Sequence, residues 1–227
     1  MKTSLVCAPL FLAVLSAAVA EPIHAPSASA EAVAWCDVWI PHANESGLPR
    51  VLLLGDSISQ GYYAAVEKSL AGRAYVAKLA TSAFISDPAL MQQVVMVLDQ
   101  YHFDIIHFNN GMHGWEHSEA EYRAAFPQFL ATLQQHAPQA RLVWASTTTL
   151  KVSPHDPAHA TDQRIAARNA TALEFVQPAH IDVDDLAALT AGHPELHIDN
   201  VHFNSDGTAL QAKQVTAAIV KLLPVRD

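Results

Sequence analysis

Val51-Leu52-Leu53-Leu54-Gly55-Asp56-Ser57-Ile58-Ser59-Gln60-Gly61 opens the part of the chain whose pattern decides the fold. The apolar run before Gly55, too short for a helix, reads as a strand buried on both faces. Gly55 permits a tight turn, and a helical pattern follows. Four further runs have the same character: Tyr75 to Leu79, Asp104 to Phe108, Ala140 to Ser146 and His180 to Val183. Helical periods separate them over Tyr62 to Ala71, Pro88 to Gln100, Ser118 to His136 and Thr161 to Gln177, and a last one follows Ser205. Strand alternating with helix predicts an α/β protein, a five-stranded parallel sheet between two layers of helices.

Two helices can be checked by face. In Ser118 to His136, the residues Tyr122, Phe126, Phe129, Leu130 and Leu133 form one apolar stripe. Ser118 and Glu121 have the spacing of a capping box, and Pro127 is expected to kink the helix. In the final helix Ala212, Val215, Ile219 and Leu222 recur at three- and four-residue steps, while Gln211, Lys213, Gln214 and Lys221 face outward. In such a sheet ligands bind beyond the carboxyl ends of the strands, so functional loops are expected there.

Working outward, residues 21–48 are rich in Ala, Pro and Ser and lack a sustained period. They read as a linker and N-terminal arm, with Trp35 and Trp39 pinning it to a single domain over 49–227. Residues 1–20 place Lys2 before an apolar run ending Ala18-Val19-Ala20, the pattern of a cleaved secretory signal. A secreted or periplasmic location is expected, with no stable membrane insertion after cleavage. Thirteen basic residues stand against 22 acidic ones, a net charge of −9, and loss of Lys2 deepens the excess. Such a surface repels phosphate backbones, which argues against nucleic acid as a partner. Cys7 leaves with the leader, so Cys36 has no internal disulfide partner, and no His nearby would activate it as a nucleophile.

Ser57 falls just after the first strand, near a helix N-terminus where backbone amides can stabilise an oxyanion. Alone, Gly55-Asp56-Ser57 reads equally as a turn that caps a helix, and Asp56 is read as shaping that turn. Asp199-Asn200-Val201-His202 shifts the balance. A serine hydroxyl is a weak nucleophile until a base takes its proton, and an imidazole serves best when a carboxylate holds its tautomer. His193, His197, Asp199 and His202 also suggest a metal reading, but paired histidines on one helix face are missing.

With both motifs in order, the chain resembles the SGNH (GDSL-like) hydrolases, which carry a GDS motif after the first strand and DxxH near the C-terminus. The resemblance covers Pro49 to Val225. It implies a flavodoxin-like sheet of order 2-1-3-4-5, with Ser57 as nucleophile, His202 as base and Asp199 as its orienting acid. It also implies oxyanion donors from the Ser57 amide and from the loop after the second strand. That loop reads Ala80-Thr81-Ser82-Ala83-Phe84 and lacks the family's glycine, so Ser82 or Ala83 is expected to donate. After the third strand the family has GxND, whereas this chain has Phe108-Asn109-Asn110-Gly111-Met112-His113-Gly114-Trp115, similar to the FNxGLHD-like block of some secreted members. His113 then stands where the family's Asn donates, with Asn110 and Asn109 as rivals.

The resemblance implies a secreted serine esterase needing no cofactor or metal and acting on small-molecule or carbohydrate esters, with O-acetyl groups favoured. A lysophospholipase or lipase-like acyl hydrolase is the alternative, and a non-catalytic glycan-binding protein of the same fold a further one. Trp115 either lines the pocket or packs beneath the loop.

Overall fold

The structure, a computed structural model, describes residues 33–152 and 160–224. The expected leader and the first part of the arm lie outside the described residues. Six strands form one sheet: β1 (Cys36–Trp39), β2 (Arg50–Gly55), β3 (Tyr75–Thr81), β4 (Ile105–Phe108), β5 (Arg141–Ala145) and β6 (Asp182–Asp184), in the order β1-β3-β2-β4-β5-β6. All neighbours are parallel except β1, which runs antiparallel to β3 along the edge. Leaving β1 aside, the order is the expected 2-1-3-4-5.

The sixth strand corrects the expectation of five, and it lies inside the segment read as a free arm. Short edge strands carry little pattern because one side of the ladder is open. Here the ladder is reinforced by side chains: Lys78 Nζ lies 2.5 Å from Asp37, whose carboxylate also accepts from Gln60. The arm is anchored again where Arg50, buried at the foot of β2, donates to the carbonyls of Pro41, His42 and Glu45. Trp39 remains exposed, and the main chain of Trp35 is held by Ser82.

The strand β2 is buried along its whole length, as its unbroken apolar run predicts. Its side chains alternate between two cores. Leu52 and Leu54 face α2 (Pro88–Gln100), α3 (Glu119–His136) and α4 (Asp162–Val176), meeting Val94, Phe129 and Ala172. Val51 and Leu53 face α1 (Ser57–Ser69), α5 (Leu186–Thr190) and α6 (Ser205–Val220), meeting Val66, Leu186 and Val215. Each such leucine removed from water contributes about 1.5–3 kcal/mol. The α3 stripe is buried as expected, and the Ser118–Glu121 capping box is formed in both directions.

The helix α1 starts at Ser57, five residues before the expected Tyr62, because the Asp56 side chain accepts from Ile58 N and Gly61 is carried inside the helix. At the other end of the sheet, His180 adopts φ 54°, so β6 begins later than its apolar residues suggest.

Candidate active site

The β2–α1 junction sets the position of Ser57. A Cβ on Gly55 would lie 2.7 Å from the Ser59 hydroxyl, so only glycine fits this turn without a shift. Asp56 caps α1, and Ser59 returns its hydroxyl to the Asp56 carbonyl at 2.7 Å. Asp56 is therefore a turn residue, and Ser57, partly exposed, leads the first turn at the carboxyl end of a central strand.

The imidazole arrives from 145 residues away: His202 Nε2 stands 2.9 Å from Ser57 Oγ. His202 Nδ1 stands 2.8 Å from Asp199 Oδ2, while Asp199 Oδ1 accepts from the amides of Val201 and His202 at 2.8 and 2.7 Å. Partial burial pushes this carboxyl up, but the two amides and the His202 ring outweigh it and hold it at about 2. Asp199 is therefore ionised throughout the range in which an esterase works. Both side chains are about half exposed, which leaves the hydroxyl open to a ligand.

The loop carrying Asp199 and His202 is pinned at its neck. His197 bridges to Phe203, Ile198 N donates to His202 O at 2.9 Å, and Asn204 N donates to Leu196 O at 2.7 Å. Asn200 receives the amides of Lys151 and Val152, and Asn204 then caps α6. The residues of the metal reading are dispersed: His193 meets Glu195, His197 meets Thr149 O, and Asp199 holds His202. Among the described residues, no group of three or more His, Cys, Asp or Glu side chains is disposed to hold a metal ion.

The proposed donors fare differently. Gly55 pairs with Ala80 of β3, so Ser57 and Ser82 each lie two residues beyond one rung. Ser82 is nevertheless committed elsewhere: its amide donates to Trp35 O at 3.1 Å and its hydroxyl accepts from Trp35 N at 3.0 Å. The ladder with β1 continues one residue past the strands and takes Ser82 with it. The Ser82 amide is thus engaged by the arm, and the Ala83 amide turns to Thr81 Oγ1 at 3.2 Å. Asn109 ties β4 to β5 through Ala145 O and Thr147, and Asn110 donates to Ala83 O at 2.9 Å, joining two loops. Of the third-block candidates, Asn109 and His113 are partly exposed and Asn110 is buried; the His113 ring lies 6.3 Å edge-on from that of Trp35.

Sequence reasoning missed Arg164 and Arg168 of α4, which reach under the loop after β4. Basic residues in a helix read as a solvated face, and only the apolar neighbours of Arg168 hinted otherwise. Trp115 packs against these guanidinium groups, 5.1 and 4.0 Å away, and so lies beneath the loop. A cavity of about 290 Å³ opens beside the end of β3, lined among others by Trp35, Ser82, Phe84, Asp87, Gln93 and His117.

Solved structures share this architecture. An aryl esterase from M. smegmatis superposes with a TM-score of 0.65 at 12% identity, covering 77% of this chain and 100% of its own. A carbohydrate acetylesterase from Sinorhizobium meliloti gives 0.64 at 12% identity, with the same coverage. A member of the lipolytic protein G-D-S-L family from Veillonella parvula gives 0.60 at 11%, again over 77% and 100%. The chain has the GDSL-hydrolase fold. No family model and no curated protein matches the sequence, so the GDSL fold here is recognisable from the backbone and from two short motifs rather than from overall identity.

Proposed function

We propose that this GDSL-fold chain is an exported serine esterase that hydrolyses short-chain carboxylic esters, with carbohydrate O-acetyl groups as the favoured substrates. The observation that carries the reading is the hydrogen-bonded line from Ser57 Oγ through His202 to Asp199. His202 Nε2 takes the Ser57 proton as Oγ attacks the ester carbonyl, and Asp199 keeps the other ring proton on Nδ1. The oxyanion is met by the Ser57 amide at the start of α1 and by the His113 ring, one such side-chain donor being worth about 3–4 kcal/mol. The alcohol leaves with the proton from Nε2. Water then surrenders a proton to Nε2, attacks the acyl-enzyme, and releases the acid as Ser57 regains its hydrogen.

The acidic composition and the signal-like residues 1–20 support a soluble ester over a lipid tail. No helix among the described residues is long and apolar enough to cross a membrane. The acetylesterase of like fold adds to the carbohydrate reading. On purified protein, p-nitrophenyl acetate and acetylated oligosaccharides are expected to turn over faster than decanoyl or longer esters. Preference for long chains would support the lysophospholipase or lipase-like alternative. Tight glycan binding without turnover of any ester would support the non-catalytic one.

The pH profile offers a second check. Because Asp199 is held at about 2, its carboxylate stays charged as the medium is acidified from neutrality to about pH 3. Asp199 therefore adds no ionisation to the acid limb of kcat/KM above about pH 3, and that limb is expected to follow a single ionisation. Two ionisations in that limb would count against the assigned roles.

A further inference from the structure

We propose that Arg168 is a positioning residue for oxyanion stabilisation, fixing the main chain on which His113 is carried; this rests on the reading of His113 as a donor.

Arg168 is fully buried in α4. Nη1 donates to Gly111 O at 3.1 Å and to His113 O at 2.6 Å, and Nη2 donates to Gly114 O at 2.8 Å. Its Nε lies 3.5 Å from Glu119, and its planar face stands 4.0 Å from the Trp115 ring, with Phe84 and Tyr122 just beyond. One turn earlier, Arg164 donates to Trp115 O and His117 O and pairs with the same Glu119 at 2.6 Å. The two guanidinium groups thus hold carbonyls at 111, 113, 114, 115 and 117.

A buried charge is a poor way to gain stability, since well-packed apolar residues usually do as well. What the fork supplies is geometry. Three carbonyls turned toward one rigid guanidinium fix the 111–112, 113–114 and 114–115 peptides, including the one that directly follows His113, and so hold the stretch of main chain from which its ring projects. Gly114 completes the constraint: at φ 70° it turns the chain immediately after His113, and a Cβ there would lie 2.3 Å from the Phe84 ring. A lysine keeps the charge but, as a point donor, cannot hold three carbonyls in one plane. Misplacing a reacting group by about 1 Å costs on the order of 10²-fold in rate.

The test is a double-mutant cycle on the full chain, with Arg168→Lys and His113→Ala assayed on p-nitrophenyl acetate and folding checked by thermal melting. Arg168→Lys is expected to lower kcat by on the order of 10²-fold with little change in KM. In the His113→Ala background the same substitution is expected to cost less than about threefold, because the donor it positions is gone. Additive losses, or a loss confined to KM, would overturn the assignment. If Arg168→Lys does not fold, Glu119→Gln takes its place in the cycle, with a smaller loss of kcat and the same non-additivity expected, and additivity again overturning it. Should Ser57→Ala keep full activity, the esterase reading itself fails; should Ser57→Ala be inactive and the cycle additive, only the role of Arg168 fails.

Discussion

Replacing Ser57 with alanine is expected to lower kcat/KM for an acetyl ester by about 10⁴-fold or more, while the melting temperature changes little. The two halves rest on different atoms. The chemistry needs Oγ, the atom 2.9 Å from His202 Nε2, and with it gone water must attack without a positioned nucleophile. The fold does not need Oγ, because the start of α1 is capped by Asp56 and the turn is shaped by Gly55. What is lost structurally is one partly exposed hydrogen bond, worth about 1 kcal/mol. His202→Ala is expected to have a loss of similar size, and the pair together little more, since residues that act as one unit are not additive. Circular dichroism and melting with activity on p-nitrophenyl acetate would check both halves. A Ser57→Ala protein that retained a tenth of the activity would remove Ser57 as the nucleophile.

The sheet was legible where burial is two-sided and the helices where both signals and stripe agree. The helix α2 matches its expected bounds of Pro88 to Gln100 because Asp87 caps it and a proline opens it. The strand β2 was plain because both faces are apolar. What escaped was built from main chain or from charge in unusual places. Four residues of β1 alternate weakly and pair on one side only, so nothing in Cys36-Asp37-Val38-Trp39 distinguishes a strand from an arm. That omission propagated to the site, since the β1 ladder is what occupies Ser82. The relation of Ser57 to His202 was readable because each sits in its own short motif, one directly after β2 and the other in the loop before α6. The brace from α4 was not, because a buried arginine satisfied by carbonyls leaves no trace in periodicity.

Asp199→Asn is expected to lower kcat by on the order of 10⁴-fold, and to be no milder than Asp199→Ala. An asparagine is nearly isosteric with aspartate, so size is not the reason. The amides of Val201 and His202 both point at Oδ1 and require an acceptor there. The Asn oxygen must satisfy them, which puts its NH₂ group where Oδ2 now faces His202 Nδ1. A donor at that position favours the tautomer with Nδ1 bare and the proton on Nε2. Nε2 then offers a hydrogen to Ser57 instead of accepting one, and general-base catalysis stops. Flipping the amide would restore the tautomer but would set NH₂ against two backbone N–H groups. Alanine, by contrast, leaves the ring free to choose, and water can reach the half-exposed loop amides. Rates measured for the three proteins at one pH, with ¹⁵N spectra of the imidazole reporting the tautomer, would decide the matter. An Asn variant clearly faster than the Ala variant, or one whose Nδ1 still carries the proton, would show that the loop amides do not control the orientation of residue 199.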